Sequence, residues 1–249
     1  MPPPASGSLL VDSLGLKILF VEDNDEIREA LVSLLEGEGY EVGAVASAEE
    51  GLVRLESQSF DLLITDYSLP GETGTWLIQH AVQRHFLEAS RVLLVTAHPK
   101  PQGAEGIKVI RKPLDLDDFL REIYDLLAPA RAAALERTRR KLDEQLQGAK
   151  RPDGAPKAEF VLYISSASPS SLKALRNMQR LLGEYQASQV RFTVCDLLKE
   201  PGCFEEDHVA FTPTLVKRLP GPKTWIVGDL QDSSMVTDLL SYAGVEKRQ

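Results

Sequence analysis

The sequence has few cysteines and no long apolar run, and both shortages narrow the structures it can form. Its 249 residues include two cysteines, Cys195 and Cys203, which do not form a C-x-x-C pair. We therefore expect neither a disulfide scaffold nor a zinc site. No apolar stretch approaches the roughly 20 residues that a membrane-spanning helix needs. The first residues also lack the basic and then apolar pattern of a signal peptide. These features predict a cytoplasmic protein that does not enter a membrane.

The chain also lacks the excess of positive charge that is typical of nucleic-acid-binding proteins. Its formal net charge at pH 7 is −9, which argues against a nucleic-acid partner. One short basic stretch at residues 137–141 is the exception, and no helix-turn-helix pattern accompanies it. A transcription factor is therefore disfavoured.

Alternating strand and helix patterns fill the first half of the chain. Ser47 with Glu50 forms a capping-box pattern before one helix, and Asp115 is the predicted N-cap of another. The alternation predicts an α/β domain with a doubly wound, five-stranded parallel sheet. We place this domain at residues 16–128, after a disordered segment at residues 1–15. Apolar runs typical of strands lie at residues 17–21, 40–45, 60–65, 91–96 and 106–111.

A helical linker and a second domain follow. The linker covers residues 129–156, with a charged helix up to about residue 147 and then a joint rich in Gly and Pro. Residues 157–249 have the order βαβ, short helix, ββ, α, which suggests a thioredoxin-like sheet. Residues 165–168, where thioredoxins carry a C-x-x-C, contain no cysteine, so disulfide exchange is not expected. Cys195 is interpreted as a packed small hydrophobe, and Cys203 as a residue that could be exposed.

Polar residues follow the strands of the first domain at one edge of its sheet. Glu22 and Asp23 follow the first strand, Asp66 ends the third, Thr96 ends the fourth and Lys112 follows the fifth. Three carboxylates at one edge repel one another unless a cation lies among them, and Mg²⁺ prefers oxygen ligands. This pattern is suited to phosphoryl transfer onto Asp66, with Mg²⁺ and Lys112 neutralising the transferred charge.

The segments around these residues resemble the receiver domain of two-component response regulators. The resemblance lies in residues 18–24, 63–71, 94–97 and 111–113 and covers about residues 15–128. It implies a histidine kinase as partner and no enzymatic activity beyond the domain's own phosphorylation and dephosphorylation. By the same resemblance Asp66 is the phosphoacceptor, and Thr96 and Lys112 bind the new phosphoryl group. Asp23 and Asp66 would hold Mg²⁺ directly, Glu22 through water and Ser68 through its backbone carbonyl.

Two departures from the receiver pattern concern the route by which the signal leaves. Residues 98–104 are too few and too rich in Pro and Gly to form the family's fourth helix. Val109 stands where the family usually has an aromatic switch residue, three positions before the lysine. We expect normal chemistry at Asp66 and an unusual output.

Residues 158–246 resemble the KaiB family of cyanobacterial clock proteins, which bind other proteins. The matching stretches are residues 160–164, 173–177, 196–201, 211–217 and 228–230. The family docks on the KaiC ATPase ring and changes between a resting fold and a thioredoxin-like binding fold. The resemblance implies a KaiC-like ATPase or another protein as partner, and a cis bond before Pro213. Candidate partner-binding residues are Thr212, Pro213, Gly228 and Asp229.

Three functions compete for this arrangement. The first is an interaction module whose KaiB-like domain gains or loses a protein partner when Asp66 is phosphorylated. The alternative is a phosphate sink that drains a kinase, with the KaiB-like domain only localising it. The third, a thiol oxidoreductase, is disfavoured by the missing C-x-x-C. Leu135, Thr138 and Leu142 on the linker helix form a seam that could pair two chains into a homodimer, or the helix could be a solvated spacer.

Overall fold

A computed structural model describes residues 15–147, 155–203 and 206–248. The chain forms two compact units, Met1–Ala130 and Arg131–Gln249, and each is described by itself. All but the last residue of the predicted disordered segment 1–15 lies outside the described residues, and so do residues 148–154 of the predicted linker. Over the described residues, no helix combines the length and the apolar character needed to cross a membrane.

The first unit is a parallel sheet of five strands in the order β2-β1-β3-β4-β5, flanked by helices. The central strands β3 and β4 are buried along their whole length, which explains their continuous apolar sequences. The doubly wound α/β fold predicted from the sequence is therefore confirmed. The strands are β1 (Lys17–Val21), β2 (Glu41–Val45), β3 (Leu62–Asp66), β4 (Val92–Thr96) and β5 (Lys108–Arg111), and the helices are α1 (Asp25–Gly37), α2 (Ala48–Ser57), α3 (Gly74–Gln83) and α4 (Leu116–Leu126).

Side-chain caps determine where all four of these helices begin, and the cap of α3 is Thr73, which accepts a hydrogen bond from the Trp76 amide at 3.2 Å. Asn24, Ser47 and Asp115 each accept a hydrogen bond from the backbone amide three residues further on, at 3.0 to 3.2 Å. Each bond satisfies an amide that the first helical turn leaves without a partner. The caps predicted at Ser47 and Asp115 are confirmed. Asn24 starts α1 immediately after Glu22 and Asp23 and so fixes the end of β1.

The connection between β4 and β5 contains no helix, and all of its residues, 97–107, are described. The predicted absence of the family's fourth helix is confirmed. The connection folds back on α3, because a Cβ atom added to Gly103 would lie 2.7 Å from Nε2 of Gln79. Ala104 and Ile107 pack against the hydrophobic core of the unit.

The second unit contains a mixed sheet of four strands in the order β7-β6-β8-β9. Strands β6 and β7 are parallel, whereas β8 is antiparallel to both of its neighbours. The predicted order of elements is confirmed except for the short helix after β7, because residues 197–203 and 206–213 contain only turns, bends and irregular backbone. The strands are β6 (Ala158–Ile164), β7 (Val190–Asp196), β8 (Thr214–Leu219) and β9 (Thr224–Val227), and the helices are α5 (Ala128–Gln147), α6 (Pro169–Gly183) and α7 (Ser234–Tyr242).

Helix α5, most of which belongs to the second unit, has one buried side. Leu135, Thr138 and Leu142 on this side are at most 6% exposed. On another side of the helix, Glu136 forms an ion pair with Lys199 of the second unit at 3.1 Å. The structure departs from both interpretations of this helix, because the predicted dimer seam is covered within one chain and the helix is not a solvated spacer. The domain bounds at residues 128 and 156 stay a prediction.

Candidate functional site

Three carboxylates converge at the carboxyl edge of the first sheet. Asp66 is the last residue of β3 and is 7% exposed, while Glu22 and Asp23 directly follow the neighbouring strand β1. Since parallel strands end at the same edge, the sheet order itself brings these side chains together. One carboxylate oxygen from each of the three lies within 4.8 Å of the others. The acidic cluster predicted from the sequence is thus present in the structure.

Lys112 is the positive charge of this cluster. Its Nζ atom lies 2.6 Å from Oδ2 of Asp66 and 2.8 Å from Oε2 of Glu22. Burial lowers the pKa of Lys112, but the hydrogen bonds and charges of Asp66 and Glu22 outweigh that effect, so the pKa is raised overall. Lys112 therefore stays protonated at neutral pH. One ammonium group against three carboxylates leaves an excess of negative charge, and an all-oxygen donor set of that charge suits a hard divalent cation.

The backbone around Asp66 is held by close neighbours. The Ser68 amide donates to Oδ1 of Asp66 at 3.2 Å, and the Thr65 hydroxyl donates to the Asp66 carbonyl at 2.9 Å. Gly74, the first residue of α3, approaches so closely that a Cβ atom there would overlap the Asp66 carbonyl oxygen. Sequence reasoning missed Gly74, because a glycine at a helix start carries no periodic signal.

Arg28 joins the start of α1 to the end of β1, and it is a second residue that the sequence did not reveal. Its Nη1 atom donates to the carbonyl oxygens of Glu22 at 2.7 Å and of Asp23 at 3.3 Å. These bonds fix the backbone that carries two of the three carboxylates. The only sequence signal for them is the position of an arginine in the first turn of α1, five residues after Asp23.

Thr96 and Val109 occupy the neighbouring strands. Thr96 is fully buried at the end of β4, and its hydroxyl oxygen accepts a hydrogen bond from the His98 amide at 2.9 Å. The His98 ring in turn lies 5.1 Å from the ring of Tyr67, which follows Asp66. Val109 on β5 lies beside Leu94 on β4 and packs against the hydrophobic core. The connection after Thr96 therefore contacts the site directly, while the position of the family's switch residue is filled by an aliphatic side chain.

In the second unit, the four candidate partner-binding residues lie side by side. The bond between Thr212 and Pro213 is cis, as the family resemblance implied. The Gly228 amide donates to the Pro213 carbonyl at 3.0 Å, and Asn177 of α6 donates to the Asp229 carbonyl at 3.0 Å. These bonds bring the start of β8 and the end of β9 together. The role of this surface in binding stays a prediction.

The two cysteines are bonded to each other, so the expectation that they form no disulfide is wrong. Cys195 is 4% exposed and packs with Tyr163 and Val209, so its predicted burial is confirmed, but it packs as half of a disulfide and not as a free thiol. Cys203 is partly buried against the same cluster. Their separation of eight residues gave no motif, and the turn after β7 brings the two together.

Comparison with known proteins gives each unit a counterpart. The response regulator receiver domain model matches residues 18–123, and the KaiB domain model matches residues 161–242. The circadian clock oscillator protein KaiB of Microcystis aeruginosa is 38% identical over 91 residues, which are 35% of this chain and 86% of the relative. The KaiB protein of Rippkaea orientalis is 37% identical over 91 residues, with the same two shares.

Solved receiver domains resemble the first unit. The receiver domain of the hybrid histidine kinase CckA is 33% identical and covers 45% of this chain and 98% of its own, with a TM-score of 0.39. The response regulator TrrA of Thermotoga maritima is 26% identical and covers 45% and 99%, with a TM-score of 0.41. The strand order and the family matches carry the assignment: the chain belongs to the KaiB family through its second unit and carries a response regulator receiver domain in its first.

Proposed function

We propose that this protein is a two-component response regulator in which a histidine kinase phosphorylates Asp66 and the KaiB domain, instead of a DNA-binding domain, carries the output. One observation carries the proposal. The nearly buried carboxylate of Asp66 lies 2.6 Å from the ammonium group of Lys112, beside the carboxylates of Glu22 and Asp23. This arrangement places a nucleophile, a counter-charge and a set of cation ligands at one point.

The donor set fits Mg²⁺, which Glu22, Asp23, Asp66 and the backbone carbonyl of Ser68 would hold. When bound, Mg²⁺ supplies positive charge that stabilises the oxygens of the transferred phosphoryl group.

The residues of the chain have separate roles in the transfer. A carboxylate oxygen of Asp66 forms a bond to phosphorus while the bond between phosphorus and the kinase histidine breaks. Lys112 orients this carboxylate before transfer and pairs with the phosphoryl oxygens afterwards. The Thr96 hydroxyl, buried at the same edge, donates a hydrogen bond to the new group. These steps make the protein a phosphoacceptor and not a catalyst of other reactions.

The output begins with a charge change at Asp66: the carboxylate charge of −1 is replaced by a phosphoryl group of about −1.5 to −2 at neutral pH, a net gain of about −0.5 to −1. Thr96 contacts the connection at residues 97–107 through His98. A shift of the Thr96 hydroxyl therefore moves that connection, whereas the family's usual route, the rotation of an aromatic ring at the position of Val109, is absent. The output itself is a protein contact of the KaiB domain, at Thr212, Pro213, Gly228 and Asp229, with a KaiC-like ATPase as the expected class of partner. We place the protein in the cytoplasm, where histidine kinases phosphorylate their regulators.

Phosphate uptake tests the assignment of Asp66. Purified full-length protein is incubated with acetyl phosphate and Mg²⁺, and intact mass reports the gain of one phosphoryl group. We expect full loss of uptake in Asp66→Asn. Asp115→Asn is the matched control, because it makes the same chemical change at a helix cap that asparagine can also form. Normal uptake by Asp66→Asn would show that another residue is the acceptor.

The absence of the fourth helix and of an aromatic residue at position 109 specifically favours the alternative of a phosphate sink. The two functions differ in the dissociation constant for a KaiC-type ATPase, measured with and without beryllofluoride and Mg²⁺. A signalling output predicts a change of at least about tenfold, which corresponds to 1.4 kcal/mol. An unchanged constant together with rapid uptake from a kinase would establish the sink.

A further inference from the structure

We propose that Cys195 and Cys203 are a redox-responsive pair whose reversible disulfide controls the order of residues 196–203 in the KaiB domain. The inference goes beyond the proposed function, because it concerns a different domain and requires no phosphorylation.

The two sulfur atoms differ in their surroundings. Cys195 lies on β7 and is 4% exposed, in a small cluster with Val161, Tyr163 and Val216. Cys203 lies in the turn that follows and is only partly buried. A small thiol or disulfide in solution therefore reaches the Cys203 sulfur first, and exchange depends on such access to one sulfur of a pair.

Among the described residues, the segment that runs from Asp196 to Cys203 is tied to the rest of the domain mainly at its start, where the buried Asp196 carboxylate accepts a hydrogen bond from the Ser166 amide at 3.1 Å. The Leu197 amide bonds to the Ile164 carbonyl at 2.9 Å and continues the pairing with β6. Beyond it, the amides of Glu200 and Cys203 bond within the segment itself. In the ion pair of Lys199 with Glu136, both side chains are more than half exposed, and such pairs are weak. Beyond Leu197, the disulfide is thus the strong tie among the described residues that closes this turn onto the domain.

The segment also presents a surface that its order would control. Leu198 is 61% exposed, and Lys199 connects the turn to helix α5. A released turn would change both the apolar surface at Leu198 and the contact with α5. In the cytoplasm, where we place this chain, thiols are kept reduced and disulfides that form are mostly transient and regulatory.

The oxidation is a two-step exchange with a small disulfide such as glutathione disulfide. The Cys203 thiolate attacks the oxidant and expels one glutathione thiolate, and the Cys195 thiolate then attacks the Cys203 sulfur and expels the second. Two cysteine thiols lose two electrons, one glutathione disulfide gains them, and the two protons pass to the expelled thiolates. The reverse sequence reopens the turn.

To test the proposal, the full-length protein is equilibrated with glutathione at a series of ratios of the reduced to the oxidised form. Free thiols are then trapped by alkylation and counted by intact mass, and hydrogen exchange is measured on peptides that cover residues 196–203. We expect a single transition from two thiols to none in the monomer. In the reduced form, we expect amide exchange in residues 198–203 at least about tenfold faster, because the closing tie is lost. Exchange in Ala158–Ile164 should stay unchanged as an internal reference.

Two variants separate the disulfide from its surroundings. Cys203→Ser, at the partly exposed position, should exchange fast at every glutathione ratio. Cys195→Ala should do the same, and it gives a second measurement with the other partner removed. The thermal midpoint of the KaiB domain should be lower by roughly 10 °C in the reduced wild type than in the oxidised one, because a loop of this length is released in the unfolded chain.

Several results would overturn the proposal: two thiols that stay free in excess oxidised glutathione, disulfides that form only between chains, or the same exchange rates in both redox states. The sulfurs of the pair and a carboxylate oxygen of Glu200 also lie close enough to hold a metal ion. Stoichiometric zinc binding that protects the reduced thiols from oxidation would assign the pair to a metal instead. Asp66→Asn should show the same dependence of free thiols on the glutathione ratio as the wild type. The redox result can therefore be interpreted even if the phosphorylation proposal fails.

Discussion

Lys112→Met is the substitution that most directly tests the electrostatics of the acidic cluster. The ammonium group contacts two carboxylates at 2.6 and 2.8 Å, and each contact has a gross Coulomb energy of about 6 kcal/mol at an effective dielectric constant of about 20. The cost of burying these charges cancels most of that energy. Breaking a fully buried pair typically lowers the free energy of unfolding by about 3–5 kcal/mol. Because the Lys112 side chain is 20% exposed, we expect a loss at or just below the lower end of that range, about 2–3 kcal/mol.

Urea denaturation measures this loss if the signal comes from the receiver domain alone. The chain has two tryptophans, Trp76 in α3 and Trp225 in the KaiB domain, so a Trp225→Phe background leaves Trp76 as the reporter. Lys108→Met is the matched control, because Lys108 forms a more exposed ion pair with Glu122 at 2.9 Å and should lose less than about 1 kcal/mol. Added Mg²⁺ should reduce the effect of Lys112→Met, because a cation then replaces the lost charge. Equal losses in the two variants, or no response to Mg²⁺, would refute the role of Lys112 as the counter-charge of the cluster.

Three further substitutions test other parts of the structure, each by urea denaturation. Gly74→Ala should destabilise the receiver domain by at least about 2 kcal/mol, because the added methyl group overlaps the Asp66 carbonyl; a neutral effect would mean that α3 does not start against β3. Leu142→Ala should cost about 2–4 kcal/mol if α5 is packed as the structure shows, and nothing if α5 is a spacer. Burial, with the hydrogen bond and charge of Asp207, raises the pKa of Tyr163 from 10.0 to about 12. The folded protein therefore holds this proton more tightly than the unfolded chain, and the contribution is full below pH 10 and lost as the pH rises towards 12. Tyr163→Phe should lose about 1–2 kcal/mol at pH 7, and this difference should shrink over that alkaline range; a constant difference would contradict the assignment.

The acidic site was predicted well because its residues follow strands in a fixed order. Once the first half is known to be a parallel sheet, the ends of β1 and β3 must lie at one edge, and so must Lys112 after β5. The contacts of Gly74 and Arg28 were not predictable in this way, since they depend on how closely two helices approach the strand ends. The structure was also needed for the distances from Lys112 to Asp66 and Glu22, and therefore for the direction in which the pKa of Lys112 is shifted.

The outline of the second unit was predicted from the sequence, but two of its contacts were not. The pattern of strands predicted its order of elements apart from the short helix after β7, which the structure lacks among residues 197–203 and 206–213, and the family resemblance implied the cis bond before Pro213. The disulfide was missed, because the cysteines lie eight positions apart in the sequence and only the turn after β7 brings them together. The burial of α5 was missed as well, because its charged sequence does not show which element covers its apolar side.

The sequence by itself determined the two domain types, the identity of the acidic cluster and the absence of a helix between β4 and β5. These features follow from local patterns, namely apolar periodicity, caps, and Pro and Gly residues, which act over a few residues. Only the tertiary structure decided which distant groups touch: the pairing of Lys112 with Asp66 and Glu22, the close approach of Gly74, the covered side of α5 and the bond between Cys195 and Cys203. The physical reason is that contacts between residues far apart in the chain depend on how whole elements pack, and a local pattern carries little information about that packing.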